Sequence, residues 1–316
     1  MIDFIDMHRE QFGVEAICRT LRATECGFIT SRGYRASKNR KASARSVRDE
    51  ILIEEVQRIH QENYSVYGVR KMWHAMRHAG WDVGRDQVAR LMKIAGLQGV
   101  RRGRKPITTR PTAGEDQRPD LVERRFVADR PQQLWVADIT YVRILTGFCY
   151  VAFITDVFSR RIVGWAVAPT LHTQQLPLLA LEHALLSTGA SRNGIGLIYH
   201  SDRGSQYVSL AYSDALLAAG VKASVGTIDD SYDNALAETV NGLYKAELIY
   251  SKRIWESVSE VELATMGWVH WQNTARLHEA LDYRTPASVE ASYTHSTTTA
   301  PATVSPRNNT QGPSTL

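Results

Sequence analysis

The sequence predicts an α/β protein: a mixed five-stranded sheet flanked by helices, with an all-α helix-turn-helix region in front of it. Three observations lead there. Before residue 100, apolar residues recur at helical spacing in short segments ended by glycine. From residue 134, three apolar, β-rich segments follow one another across short connections, and after them helical and strand patterns alternate.

Residues 1–46 read as a helix candidate followed by "SRGYRASKNRKASARS", which is basic and expected to be mobile. From Val47 to Glu62, Ile51, Val56 and Ile59 stand among charges in a helical pattern. "YGVRKMWHAMRHAG" places Val69, Met72, Trp73 and Met76 on one stripe that ends at Gly80. "GRDQVARLMKIAGL" repeats the device with Val88, Leu91, Met92 and Ala95, with Asp86 at its start and Gly96 at its end. Compact helices with a glycine-containing connection suit a helix-turn-helix, and Arg85, Gln87, Arg90 and Lys93 lie off the apolar stripe, where they can enter a major groove. A small helical bundle with a solvated basic face is the competing reading. His74 and His78 are four apart on a helix, but no CxxC completes a zinc site, and they are read as surface residues.

"RRGRKPITTRPTAGEDQRP" reads as a basic linker, with Arg101, Arg102, Arg104 and Lys105 available to a polyanion. Strands follow: "LWVADITYV", "FCYVAFITDVFS" and "RRIVGWAVA", whose short connections imply an antiparallel meander. Next come a helix from about Thr173 to Leu186, the strand "LIYHS", a helix near Ser205 to Ala219, the strand "KASVG" and a long helix from about Asn234 to Tyr250. "EVELATMGWVHWQNTARLHEAL" reads as one more amphipathic helix, with Trp268 and Trp271 read as core residues in preference to base-stacking platforms. The Thr/Ser/Pro/Asn-rich end reads as disordered. The expected organisation is an N-terminal segment 1–46, a DNA-binding region 47–100, a linker 101–125, a catalytic core 126–290 and a tail 291–316.

Residues 1–133 carry 26 Lys and Arg against 17 Asp and Glu, a net of +9, and residues 134–316 a net of −4. A basic front half suits a polyanion, and an acidic back half suits cations. No uncharged run is apolar enough to span a bilayer, since Ile162 to Leu181 is broken by Pro169, His172, Gln174, Gln175 and Pro177. Cys18, Cys26 and Cys149 are odd in number and lack CxxC spacing, which fits a reducing compartment, the cytoplasm.

Three carboxylates carry the chemistry. Asp138 interrupts an apolar strand and, by alternation, shares a face with Val136 and Thr140, opposite Trp135, Ala137, Ile139 and Tyr141. Such a carboxylate costs stability unless it is paired or bound to a cation. Asp202 ends the fourth strand in "YHSDRGSQY", where capping of the next helix by Asp202 or Ser205 competes. Glu238 lies in the first turns of "ALAETVNGLYKAEL". At about 100° per residue, Asn234, Glu238, Asn241 and Lys245 form a polar stripe opposite the buried Leu236, Val240 and Leu243. If the first and fourth strands are neighbours and the long helix packs across their ends, the three carboxylates converge. Without cations they would repel one another and raise each other's pKa. Hard oxygen ligands favour Mg²⁺ or Mn²⁺, and two such ions suit phosphodiester chemistry.

Around them, His200 shares the face of Asp202 and either assists a metal-bound water or is structural. Asn234 and Asn241 either support the carboxylates or substrate, or are solvated. Arg203 and Gln206 touch phosphate or shape the turn, and Asp156 is read as structural.

"WVADITYV", "TDVFSRRIVGW", "YHSDRGSQY", "SYDNALAETVNGLYKAEL" and "WQNTARLHEALDYRTPASV" together resemble the integrase core of bacterial insertion-sequence transposases of the IS3 type. Thirty-five residues separate Asp202 from Glu238, the spacing of the D,D(35)E motif, and Lys245 follows seven after the glutamate. The upstream "YGVRKMWHAMRHAGWDVGRDQVARLMKIAGLQG" is similar to the helix-turn-helix of the same proteins. The resemblance implies an RNase H-like fold, with Asp138, Asp202 and Glu238 as metal-binding catalytic residues and Lys245 on DNA near the transferred strand. It further implies metal-dependent cleavage at transposon ends and strand transfer by a DNA 3′-hydroxyl, without a covalent protein–DNA intermediate. The partners it implies are double-stranded DNA, as terminal inverted repeats and target, and further copies of the chain. Fusion to an upstream-frame product by ribosomal frameshift is a further expectation. An RNase H-like nuclease, or a DNA-binding remnant of such an element, are the alternatives.

Overall fold

The computed structural model describes residues 1–24, 29–101, 122, 126–172, 176–190, 196–201, 210–225 and 235–299. Two compact units are present, Met1–Glu55 and Val56–Leu316.

The first unit contains α1 (Ile2–Phe12), α2 (Val14–Arg22), α3 (Ser31–Asn39) and the start of α4 (Ala44–Glu62). Ile5, Ile17, Cys18 and Tyr34 form a small core, and the Tyr34 hydroxyl donates to Asp6 at 2.6 Å. The expectation of mobility for "SRGYRASKNR" is therefore corrected. Thr30 caps α3 by accepting the Gly33 N–H, and one buried aromatic anchors an otherwise polar helix. In α4 Leu52 and Val56 are fully buried, whereas Ile51 is exposed.

The second unit opens with the end of α4, then α5 (Val69–His78) and α6 (Arg85–Ile94). Met72, Met76, Val88, Leu91 and Met92 are buried, as their spacing requires, and Trp73 Nε1 donates to the Val83 carbonyl at 2.9 Å. Both helices stop at glycines in the left-handed region, Gly80 at φ +88° and Gly96 at φ +69°.

The sheet is built from β1 (Leu134–Ile144), β2 (Gly147–Asp156), β3 (Ile162–Ala168), β4 (Ile198–Ser201) and β5 (Lys222–Val225), in the order β3-β2-β1-β4-β5. The first three strands are an antiparallel meander, and β4 and β5 join parallel to β1, giving the mixed five-stranded sheet. Helices α7 (Pro177–Thr188) and α8 (Leu210–Ala218) follow β3 and β4, and α9 (Ala235–Glu247), α10 (Val258–Thr274) and α11 (Pro286–Thr299) follow β5. No helix among the described residues is long and apolar enough to cross a membrane.

Alternation divides β1 between two cores. Trp135 and Ala137 enter the larger core with Tyr199, Ala180, Leu181, Ala184 and Leu216, the side of α7 and α8. Leu134 and Val136 enter a smaller one with Val157 and Ala237, the side of α9. Val122, expected within the linker, is buried in this second core.

Where β3 meets α7, Gly164 leaves no room for a side chain: a Cβ there would stand 2.2 Å from the Ala180 carbonyl oxygen and 2.7 Å from the Ala184 Cβ. Gly164→Ala is therefore expected to destabilise the fold by about 1–3 kcal/mol through overpacking, read as a lowered thermal midpoint.

Two expectations for the C-terminal region are corrected. The helix expected to reach Leu281 ends at Thr274, because Arg276 is drawn into a buried ion pair and Tyr283 and His278 form a hydrogen-bonded turn. The tail from 291 is helical through Thr299. Ser292 and Thr294 donate one turn back to the Ser288 and Glu290 carbonyls, and Tyr293 packs edge-on against Phe158.

Candidate active site

Asp138 lies on β1 next to the point where β4 ends. The β1–β4 register is described as far as Ala137↔Ser201, and in the sequence a carboxylate follows each of these two residues, Asp138 after Ala137 and Asp202 after Ser201. Asp202 itself lies outside the described residues, as do Arg203, Ser205, Gln206 and Asn234.

Asp138 is half-buried, with both oxygens engaged. Oδ1 accepts the Ile139 N–H at 2.8 Å, and Oδ2 accepts Nδ2 of Asn241 at 2.8 Å. Glu238 stands one turn before Asn241 on α9, on the same stripe and half-buried. The stripe's placement differs from the expectation. It borders the buried face instead of opposing it: Asn241 is only 9% exposed, while Leu243 is half-exposed. The reason is Asp138, since a carboxylate inside the sheet needs a donor from the helix that covers it. The Asn241 Oδ1 is buried without a partner among the described residues, leaving an acceptor at the site.

Lys245 continues the stripe. Its Nζ sits 4.4 Å from the centroid of the Tyr141 ring, which Phe148 meets edge-on at 5.6 Å. Burial lowers the Lys245 pKa, and the charge of Asp138 pulls it upward, so the ammonium lies within electrostatic reach of that carboxylate. Alternation along β1 assigns Tyr141 to the face opposite Asp138, and nothing local in the sequence marks it.

His200 pairs with Val136 in the register and is buried, with Nδ1 3.0 Å from Ser224 Oγ and Phe126 edge-on at 5.3 Å. Asp156 takes the structural role expected of it. It accepts the Gln132 N–H at 2.7 Å and both the N–H and hydroxyl of Ser159, closing the β2–β3 turn, while burial raises its pKa. Trp268 and Trp271 are core residues.

The helix-turn-helix residues are placed on α6 and just after it. Arg85, Lys93 and Arg101 are exposed, whereas Gln87 and Arg90 are half-buried. Arg102, Arg104 and Lys105 lie outside the described residues. His74, expected at the surface, stacks on Tyr283 at 3.7 Å.

No group of three ligating side chains occurs among the described residues. Asp138 and Glu238 supply hard oxygen donors on adjoining elements, and Asn241 steadies the first of them, a donor chemistry that fits Mg²⁺ or Mn²⁺. Asn241→Ala is expected to weaken productive metal binding about 10- to 100-fold, checked by titrating end cleavage against metal concentration.

The family described as "HTH-like domain" matches residues 47–105, and two described as "Integrase core domain" match 128–231 and 219–286. The transposase for insertion sequence element IS629 from Shigella sonnei is 48% identical over 296 residues, covering 93% of this chain and 96% of its own. Transposase InsF for insertion sequence IS3A from Escherichia coli K12 is 31% identical, covering 79% and 84%. Among solved structures, a chain in the cryo-EM structure of the simian T-cell lymphotropic virus intasome in complex with PP2A regulatory subunit B56 gamma aligns over 82% of this chain and 80% of that one, at 14% identity and a TM-score of 0.42. With both domains matched in order and relatives aligned nearly end to end, the chain belongs to the insertion-sequence transposases of the IS3 type, enzymes of DNA transposition with an integrase catalytic core.

Proposed function

We propose that the chain cuts DNA at the ends of its insertion sequence and joins the freed 3′-hydroxyl to target DNA, with Asp138, Asp202 and Glu238 as its metal-binding catalytic residues. The observation that carries this reading is the bond from Asn241 to Asp138, which ties the central strand to the helix bearing Glu238, beside the strand that leads into Asp202. A bound divalent cation, or a pair of them, supplies Lewis acidity: a lowered pKa for the attacking water or hydroxyl, and neutralised charge at the leaving oxygen.

The protein's own part is positional. β1 carries Asp138 and α9 carries Glu238, and Asn241, one turn after Glu238, fixes the orientation of the Asp138 carboxylate. Lys245, held over Tyr141, presents a cation beside that place for a DNA phosphate. Arg85, Gln87, Arg90 and Lys93 of α6 read duplex DNA, and Arg101, Arg102, Arg104 and Lys105 add phosphate contacts. The enzyme works in the cytoplasm as a homo-oligomer on paired ends.

A duplex carrying the element's own terminal inverted repeat, labelled at its 3′ end, tests this. The expected result is cleavage at the end and joining to a target duplex in Mg²⁺ or Mn²⁺, both lost in EDTA. Hydrolysis of arbitrary DNA without joining would replace the reading with a nuclease, and binding alone with a silent remnant.

A further inference from the structure

The helix-turn-helix and the catalytic core meet directly. On the core side the surface is the end of α10 and the turn after it; on the other side it is the α4–α5 connection and α5. Trp271 Nε1 donates to Asn63 Oδ1 at 3.1 Å, and the Tyr64 ring lies 4.8 Å from the Trp271 ring. Tyr67, fully buried, accepts the Leu277 N–H on its hydroxyl at 2.8 Å. His74 stacks nearly parallel on Tyr283 at 3.7 Å.

Backbone strain is concentrated at the same place. Six non-glycine residues have positive φ among the described residues, and four of them flank this junction: Tyr64 (54°) and Ser65 (57°) on one side, Asp282 (52°) and Tyr283 (59°) on the other. Bulky residues adopt the left-handed region only where the surroundings over-determine it, and such strain gathers at sites that hold something in position.

The core side of the junction is in turn anchored to the catalytic helix. Arg276, 4% exposed, donates from Nη2 to Glu247 Oε1 at 2.6 Å and from Nε to Oε2 at 3.0 Å. Glu247 stands nine residues after Glu238 on α9. A continuous path of packed and hydrogen-bonded groups thus runs from the DNA-reading module through Trp271 and Arg276 to the helix that bears Glu238 and Asn241.

We infer that this junction is a ruler: it fixes the helix-turn-helix against the catalytic helix, so that DNA held by the module presents one defined phosphodiester to the carboxylates. The inference rests on the proposed end-cleavage activity. Asn63, Tyr67, His74 and Tyr283 are positioning residues in it. They set where and how fast the strand is cut, and leave the affinity for the inverted repeat to other residues. A flexible tether between module and core would hold DNA nearby but would not choose the bond.

The test uses the full chain with two variants. Asn63→Ala/Tyr67→Phe/His74→Ala removes the polar and stacking contacts while keeping the buried Tyr67 ring. Tyr283→Gly deletes the stack and relieves the left-handed backbone, so it does not depend on tolerating a damaged core. Amide hydrogen exchange over 64–79 and 277–285 reports loosening, filter binding reports inverted-repeat affinity, and a sequencing gel reports the cut position. The expected result is faster exchange, affinity within about twofold of wild type, and a wild-type single cut that spreads over neighbouring phosphates with at least a tenfold lower rate at the correct one. Cutting at the single wild-type position and rate despite faster exchange overturns the ruler alone. Affinity falling in proportion to cleavage overturns it as well, since the junction would then serve binding. A wild-type chain that binds the repeat without cutting overturns the functional reading, and the ruler with it.

Discussion

Asp138→Asn is expected to abolish end cleavage and joining, by on the order of 10³-fold or more, while inverted-repeat binding and thermal stability stay close to wild type. That factor corresponds to about 4 kcal/mol of transition-state stabilisation. The substitution keeps the shape of the side chain and an oxygen that can still accept the Ile139 N–H. What it removes is the negative charge, the part a divalent cation requires, and the acceptor for the Asn241 amide, which can turn over to present its unpartnered Oδ1 to the new N–H. Glu238→Gln is expected to behave alike, because it stands one turn from Asn241 on the stripe that faces Asp138. The measurement is a single-turnover time course on labelled end DNA, with binding and unfolding measured on the same preparations. Undiminished cleavage by Asp138→Asn would remove this carboxylate from the chemistry. Lost cleavage accompanied by a large drop in the unfolding midpoint would assign Asp138 a structural role.

The second large effect is on stability. Glu247→Leu leaves the Arg276 guanidinium buried without its partner, at an expected cost of about 3–5 kcal/mol. The double replacement Glu247→Leu/Arg276→Met removes both charges and is expected to cost much less, since desolvation of the pair offsets most of its attraction. Urea unfolding of the two single variants and the double closes the cycle, and equal losses in single and double variants would count against the argument. Exposed pairs such as Arg58–Glu62 are expected to contribute little by the same measurement.

The same pocket sets an acid limit. Burial, with the neighbouring Arg276 charge, lowers the His278 pKa from 6.5 to about 3, so the folded protein keeps this imidazole neutral. The unfolded chain takes up a proton near pH 6.5 and the folded chain does not. The contribution is therefore fully present above about pH 6.5 and is lost progressively as pH falls towards 3. A urea midpoint that declines through that window, with a shallower decline in His278→Gln, is the expected outcome.

These residues also mark how far the sequence can be read. Strands β1 to β3 were legible because their alternation and short connections leave few other arrangements, and Asp138 stood out because a carboxylate is anomalous there. The polar stripe on α9 was legible by angle, but not its orientation, since only the partner strand determines which face is covered. Glu247 and Arg276 left no local signal: the pair is made 29 residues apart, between α9 and the turn after α10, and each looks like an ordinary surface charge. The early end of α10 at Thr274 follows from that pair and was hidden with it. The helix over Ser31–Asn39 was missed because a single buried tyrosine anchors it, too little for a periodic pattern.

The division of β1 between two cores gives the strand a parity. One extra residue between Leu134 and Ala137 would turn Asp138 toward α7 and α8 and bring Ala137 to the α9 side, erasing the site without altering any residue in it. Two extra residues would restore the facing. Insertions in this stretch should therefore inactivate the protein by whether their length is odd or even more than by how long they are.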